Sequence, residues 1–201
     1  PEASFIMTRA AAMLLLLATA AVPEYLALGF SHILPHGADH VLFVLGLFFL
    51  TREPGPLLVQ MTLFTLAHSL TLGLSLYGVV DLPSRVVEIA IALSIAFIAI
   101  ENLSASRLRR WRPVVVFMFG LIHGLGFAHT FAERTIPPQD FLPALLSFNL
   151  GIELGQIAVV GIAFAAVSLW WKRETYQKHI ARPASALIAL CGLFWAVERS
   201  L

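Results

Sequence analysis

The chain has 201 residues, of which 59% are hydrophobic and only 12% are charged, with a formal net charge of +1. Soluble domains carry roughly 25% charged residues, so this composition indicates an integral membrane protein with the lipid bilayer as a partner. The near-neutral charge argues against a nucleic-acid partner, and Cys191, the single cysteine, excludes an intrachain disulfide or a thiolate metal site.

The first apolar segment has the pattern of a secretory signal. Arg9 precedes a short apolar run, and small residues in an A-x-A-like order follow it. A membrane-spanning helix over residues 10–22 is the alternative. We therefore divide the chain into a signal-like or additional apolar N-terminal segment, residues 1–23, and a single transmembrane domain, residues 24–201. That domain is expected to begin with an interfacial helix over residues 24–34.

The rest of the domain predicts an all-α bundle of about six transmembrane helices. A spanning helix needs about 20 mostly apolar residues. The segments of suitable length and composition cover residues 35–51, 56–79, 84–103, 113–131, 141–171 and 181–197. Pro35 is placed in the first helical turn, where its missing N–H costs nothing. The sixth helix has no polar face comparable to those of the others and is expected only to pack.

The distribution of Lys and Arg predicts the orientation. The loops 104–112 and 171–182 contain four basic residues each, whereas each of the other loops contains one. Basic loops stay on the cytoplasmic side of membranes. We therefore expect both loops to be cytoplasmic, and the C-terminus and the start of the first spanning helix to lie outside.

The start of the first predicted helix is rich in possible metal ligands. The stretch His32-Ile-Leu-Pro-His-Gly-Ala-Asp-His40 contains three imidazoles and a carboxylate. In a helix from Pro35, His36 and His40 would lie one turn apart on the same face, with Asp39 beside them. Imidazole and carboxylate together form a nitrogen/oxygen ligand set for a divalent transition metal. The alternative is an interfacial loop whose polar residues face water.

Four ionisable residues fall within different predicted spans: His68, Glu88, His123 and Glu153. Such groups are costly in a membrane and usually functional. Counted from the helix ends at about 1.5 Å per residue, they lie in the outer half or near the midplane, so five helices could form one site. The alternative is that they are hydrogen-bonded packing residues. The same helices carry further polar residues: Ser69, Glu101, Asn102, Asn149 and Gln156.

Two glycine pairs predict close helix contacts. Gly120 and Gly124 enclose His123, and Gly151 and Gly155 enclose Glu153. Small residues four apart allow helix backbones to approach closely in lipid. The pairs therefore predict that the helices over 113–131 and 141–171 pack together, with His123 and Glu153 near their seam.

Five blocks of the sequence resemble the HupE/UreJ family, membrane proteins that are linked to hydrogenase and urease accessory systems. The first block is His-Ile-Leu-Pro-x-Gly-x-Asp-His-x-Leu-Phe-Val-Leu-Gly-Leu, and the fourth contains Phe-Gly-Leu-Ile-His-Gly-Leu-Gly-Phe-Ala. The blocks cover residues 32–47, 64–72, 87–95, 119–128 and 148–156. The resemblance extends over about residues 25–165.

The resemblance implies a nickel or cobalt permease of the bacterial inner membrane, whose His/Asp motif and His-Gly motif handle the metal. The sequence departs from the hydrogenase-linked members in two places. The spacing from His32 to Asp39 is one residue longer, so His32 is left out of the predicted ligands. The motif at His123 lacks a second His-Gly and the acid that follows it. The predicted metal-handling residues are His36, Asp39, His40, His68, His123 and Glu153.

The leading hypothesis is a permease for Ni²⁺ or Co²⁺. Glu88 would balance charge, Asn149 and Gln156 would orient ligands, and Glu101 and Asn102 would pass the ion toward the cytoplasm. The first alternative is an intramembrane hydrolase that uses Zn²⁺, with Ser69 or Glu153 assisting proton transfer. The second alternative is an accessory subunit of a larger membrane complex. Association with other membrane subunits or with a second copy remains open.

Overall fold

The computed structural model describes residues 22–51, 53–104, 108–132, 137, 140–170 and 175–201, with residues 129–132 described as backbone only. Within these ranges the chain is all-helical and forms no strand. The signal-like interpretation of the N-terminal segment concerns residues that lie almost wholly outside the described ranges.

Seven α-helices make up the described part of the chain. They are α1 (Val22–Ile33), α2 (Ala38–Leu50), α3 (Pro54–Leu76), α4 (Ser84–Ser104), α5 (Arg112–Ala132), α6 (Phe141–Val167) and α7 (Arg182–Glu198), and a π-helical turn, Gln177–Ala181, leads into α7.

Four to five of the described helical units could cross a membrane. The helices α3, α4 and α6 and the continuous segment Gln177–Glu198 are each long and apolar enough, while α1 and α2 qualify only as a pair bent by 69°. The apolar part of α5, Arg112–Ala128, is shorter. The chain is therefore a multi-pass membrane protein, but the predicted count of six spans is not confirmed.

The first spanning helix does not begin at Pro35 as predicted. The backbone N–H of Gly37 donates to the carbonyl of Ile33, residues 34–36 form a turn, and α2 begins only at Ala38. A side chain at position 37 would overlap the carbonyl oxygen of His32, because the chain turns back closely here. The exposed His36 therefore precedes α2 instead of sharing a helical face with His40.

Two buried or half-buried ion pairs between helices mark the two ends of the bundle. At one end, Arg199, just after α7, contacts Asp39 at the start of α2. At the other, Arg112, the first residue of α5, contacts Glu101 near the end of α4. These are called the Arg199 end and the Arg112 end below.

The glycine pairs are close-contact sites, but they do not join α5 to α6 as predicted. A Cβ atom at Gly120 or Gly124 would overlap backbone carbonyl oxygens of α3. A Cβ atom at Gly151 would overlap the backbone of α1, and one at Gly155 would overlap Ile33. The pairs therefore bring α5 against α3 and α6 against α1, because small residues permit close packing without selecting the partner.

Candidate metal centre

Three histidines from separate helices meet inside the bundle. His32 lies at the end of α1, His40 in the first turn of α2 and His68 in the C-terminal half of α3. One ring nitrogen from each lies within 4.8 Å of those from the other two. His40 and His68 are 5% and 0% exposed, and His32 is half-buried.

His123 of α5 adds a fourth imidazole to this group. Its ring centroid is 5.0 Å from that of His40, and its side chain is buried. Its Nε2 lies 2.9 Å from Oγ of Ser94 on α4. We call His32, His40, His68 and His123 the histidine cluster.

Most of the ring nitrogens in the histidine cluster have no hydrogen-bond partner in the described part of the chain. Five of them are buried without a hydrogen-bond partner among the described residues: His32 Nε2, His40 Nε2, His68 Nδ1, His68 Nε2 and His123 Nδ1. Leaving a buried polar group unsatisfied costs about 1–3 kcal/mol. Buried polar groups in native proteins are usually paired, so this concentration of unpaired nitrogens indicates a site for a ligand.

The spacing of the nitrogens of His32, His40 and His68 suits one metal ion. Metal–nitrogen bonds are about 2.0–2.1 Å long, so two nitrogens on one ion lie at most about 4.2 Å apart. The nitrogens, one each from His32, His40 and His68, lie within 4.8 Å of one another. A small rotation of the rings would therefore bring all three within bonding distance of one ion. Imidazole is a good ligand for Zn, Ni and related divalent ions.

Aromatic rings enclose the histidine cluster. Phe43 and Phe64 lie one helical turn from His40 and His68 toward the Arg112 end, and their ring centroids are 4.8 Å apart. Phe127 stacks on Phe148 with centroids 5.0 Å apart. These rings offer no polar partner to the imidazole nitrogens, and an apolar shell of this kind limits the access of water on its side of the cluster.

An open cleft of about 360 Å³ connects the histidine cluster with the Arg199 end. Its lining includes two carboxylate residues, Asp39 and Glu88, and the guanidinium of Arg199. Arg199 Nη2 donates to both carboxylate oxygens of Asp39 at 2.9 and 3.2 Å, and its Nη1 donates to the backbone oxygen of Glu88. His36 also lines the cleft, and its Nδ1 lies 3.2 Å from the carbonyl oxygen of Ser31.

Glu153, one of the predicted metal-handling residues, lies at the seam between α3 and α6. Thr62 donates to its Oε1 at 2.7 Å, and Thr65 donates to Oε1 of Gln156 at 3.3 Å. Neither Glu153 nor Gln156 is among the described residues that line the cleft. Two polar residues of α6, Glu153 and Gln156, therefore pair with threonines of α3.

Two of the predicted supporting residues bond to their own helices. Asn149 donates from Nδ2 to the carbonyl of Leu145 at 2.7 Å, and Ser69 donates to the carbonyl of Thr65 at 2.6 Å. The remaining oxygen of Asn149 is buried without a partner in the described part of the chain.

The predicted inner residues Glu101 and Asn102 belong to a second polar cluster, centred on Arg112. This guanidinium is fully buried and donates to Glu101 Oε2 at 2.8 Å and to Asn102 Oδ1 at 3.1 Å. It also donates to Gln60 Oε1 at 3.1 Å and to the carbonyl of Gly46 at 3.3 Å. We call these five residues the Arg112 network.

The last helix, expected only to pack, contributes polar contacts at both ends of the bundle. Asn102 donates to Oγ of Ser185 on α7 at 3.1 Å, and Arg199 follows the same helix at the cleft. These two polar positions are 14 residues apart. Because these two positions are so far apart, α7 has no continuous polar face. The sequence pattern of α7 therefore did not predict either contact.

Sequence reasoning missed several residues that the structure places at these clusters, among them His32, Gln60, Ser94, Arg112 and Arg199. His32 stands in the opening motif and could have been included on composition alone. Arg112 was counted only as a loop charge, although it directly precedes an apolar run. Ser94 and Arg199 carry no local signal, since their partners lie 29 and 160 residues away.

Apolar helices around a buried histidine cluster define a multi-pass membrane protein with a candidate metal centre. The protein-family model described as HupE / UreJ protein matches residues 9–199, and the chain therefore belongs to the HupE/UreJ family. This match confirms the resemblance drawn from the five sequence blocks. Comparisons with curated proteins and with solved structures gave no match.

Proposed function

We propose that this protein binds a divalent transition metal ion at the histidine cluster and transports it across the membrane. The observation that carries the proposal is the group of five buried, unpartnered imidazole nitrogens contributed by four helices. The family suggests Ni²⁺ or Co²⁺ as the transported ion, and imidazole nitrogens suit both. We further propose that the membrane is the bacterial inner membrane.

The cleft supports capture of the ion from the Arg199 end. Asp39, Glu88 and His36 line this entrance and would attract a divalent cation before it meets the buried imidazoles. Arg199 already occupies both oxygens of Asp39, so an entering ion competes with the guanidinium for this carboxylate. The lysine and arginine distribution favours this end as the outer one, which makes the direction import.

The opposite side of the histidine cluster is closed by apolar residues. Phe43 and Phe64 are buried one helical turn from His40 and His68 toward the Arg112 network. Release toward the Arg112 end would require this layer and the network to rearrange. A site without thiolate ligands suits such a cycle, because a transported ion must be able to leave.

A metal-dependent hydrolase is the second candidate, and one observation favours it. The imidazoles are gathered at a single depth beside a cleft of about 360 Å³, whereas a permease needs polar groups along its whole path. Zn²⁺ held by three histidines could activate a water in its open position.

Uptake of radiolabelled Ni²⁺ and Co²⁺ tests the proposal in cells that lack other importers of these ions. The wild type should accumulate at least one ion, and His68→Ala should not. His179→Ala is the matched control, because this exposed histidine lies outside the cluster and its Nδ1 lies 3.1 Å from the carbonyl oxygen of Thr175.

The hydrolase would replace the permease if the wild type gave no uptake while the purified protein hydrolysed a membrane lipid. In that case, His68→Ala should abolish the hydrolysis and His179→Ala should retain it.

A further inference from the structure

Ser94 is a buried serine of α4 that contacts the histidine cluster through His123. Its side chain is 1% exposed. Its Oγ donates to the carbonyl oxygen of Ile91 at 2.7 Å and lies 2.9 Å from Nε2 of His123. It is the hydroxyl that the described part of the chain places beside a ring nitrogen of the cluster.

The hydroxyl proton determines which nitrogen of His123 carries hydrogen. A serine hydroxyl has one proton to donate, and a neutral imidazole has one N–H and one acceptor nitrogen. When the proton of Ser94 goes to the carbonyl of Ile91, Oγ can only accept from His123. The hydrogen of the imidazole then lies on Nε2, and Nδ1 carries the free lone pair.

The opposite arrangement is less favourable. If Ser94 donated to Nε2, the imidazole hydrogen would lie on Nδ1, which is buried and has no partner among the described residues. Buried N–H groups without an acceptor are rarer than buried acceptors without a donor. The first arrangement leaves only a lone pair unsatisfied, and a metal ion would satisfy it.

We propose that Ser94 is a positioning residue that directs Nδ1 of His123 toward the metal as a fourth nitrogen ligand, beside His32, His40 and His68. Metal-binding histidines typically donate their second ring N–H to a protein oxygen, which fixes the tautomer and the ring orientation. The proposal rests on the metal-binding part of the proposed function and does not depend on transport.

Among the described residues, Ser94 is the one that the structure places within hydrogen-bond distance of a ring nitrogen of His123. The ring centroids of Phe43 and Phe64 lie 5.2 and 5.0 Å from that of His123, and neither side chain has a polar atom. The ring of His40, at 5.0 Å, belongs to the cluster itself.

Nitrogen NMR of the metal-free protein, labelled with ¹⁵N at histidine, gives the first test. The signals of His123 are identified by subtracting the spectrum of His123→Gln. We expect Nε2 to be protonated and Nδ1 to be unprotonated in the wild type. A wild-type spectrum with the proton on Nδ1 would overturn the proposal without any variant of Ser94 having to fold.

Metal affinity and the Co²⁺ ligand-field absorption of the purified full chain give the second test. Loss of a hydrogen bond behind a ligand typically weakens metal binding by 10–100-fold. We therefore expect Ser94→Ala to raise Kd for Co²⁺ by at least about tenfold and to change the absorption spectrum. Ser147→Ala is the matched control, since Ser147 is buried and donates only to its own helix, at Pro143.

The outcomes separate this proposal from the proposed function. If Ser94→Ala leaves Kd and the Co²⁺ spectrum within the range of Ser147→Ala, Ser94 has no positioning role even if transport is observed. If Ser94→Ala weakens binding as expected but the wild type transports no ion, permease activity fails and the role of Ser94 stands. If the wild type binds no metal, both fail.

Discussion

The two buried polar clusters of this protein differ in how their hydrogen-bonding groups are satisfied. In the Arg112 network, one guanidinium donates to four acceptors from α2, α3 and α4. Within the described ranges, Glu101 Oε1 is the atom of this network that stays unpaired. In the histidine cluster, five ring nitrogens have no partner among the described residues. Both clusters lie in the same bundle, and all their side chains are buried except the half-buried His32.

This difference separates a stabilising cluster from a binding one. A buried charge is tolerated when its partners are complete, and removing a partner is then strongly destabilising. Unpaired buried groups lower stability until a ligand satisfies them. We therefore expect mutations at the two clusters to have opposite effects on the metal-free protein.

The largest effect is expected from Arg112→Met. This change leaves the buried carboxylate of Glu101 without its cation, and breaking a buried pair in this way costs about 3–5 kcal/mol. Chemical unfolding in detergent micelles should measure the loss, with the exposed Arg110→Met as control. Adding Glu101→Gln should restore part of the stability. A loss below 1 kcal/mol would remove the distinction between the clusters.

The next effect is stabilisation of the wild type by metal. An ion at 100 times its Kd that binds only the folded state adds about 2.7 kcal/mol to the free energy of unfolding. We expect Ni²⁺ or Co²⁺ to raise the unfolding midpoint of the wild type but not that of His68→Met. Mg²⁺ should have no effect because it prefers oxygen ligands. An equal shift in both proteins would place the metal elsewhere.

A smaller effect of opposite sign is expected from His68→Met without metal. Both ring nitrogens of His68 are buried and have no partner among the residues that the structure describes. Methionine fills a similar volume without polar N–H groups. The free energy of unfolding should stay unchanged or rise by about 1 kcal/mol. A fall as large as that for Arg112→Met would mean that His68 is a structural residue.

The smallest effect is expected at the entrance of the cleft. Arg199→Gln removes the cation that occupies Asp39, so the protein should bind the metal about two- to fivefold more tightly. This gain corresponds to about 1 kcal/mol at most, because the Arg199–Asp39 pair is partly exposed. The gain should shrink as salt increases. Arg85→Gln is the control, since Arg85 bonds to the backbone oxygen of Ser200 at the same end. Weaker binding by Arg199→Gln would exclude competition for Asp39.

The class of the fold and part of the candidate site could be predicted because they depend on local composition. Long apolar segments must form helices in lipid, since a membrane offers no other partner for backbone N–H and C=O groups. Ionisable residues are rare within such segments and usually functional, so the sequence alone identified His40, His68 and His123 as candidate ligands. The structure brings these three together, while Glu153 lies at a separate seam with Thr62.

The partners of these residues could not be predicted, because helix pairing depends on contacts between distant parts of the chain. The glycine pairs predicted close packing, but only the folded bundle assigns Gly120 and Gly124 to α3, and Gly151 and Gly155 to α1. The packing of α1 in the bundle also places His32 beside the other imidazoles, although the spacing argument had left His32 out.

The sequence by itself determined that this protein is helical, multi-pass and rich in possible metal ligands, since these properties follow from the residues of each segment. Only the tertiary structure decided which buried groups are paired and which are not. Arg112 and His68 are both costly to bury, and no local pattern distinguishes them. They differ because packing surrounds the guanidinium with acceptors and the imidazole with aromatic rings and other imidazoles.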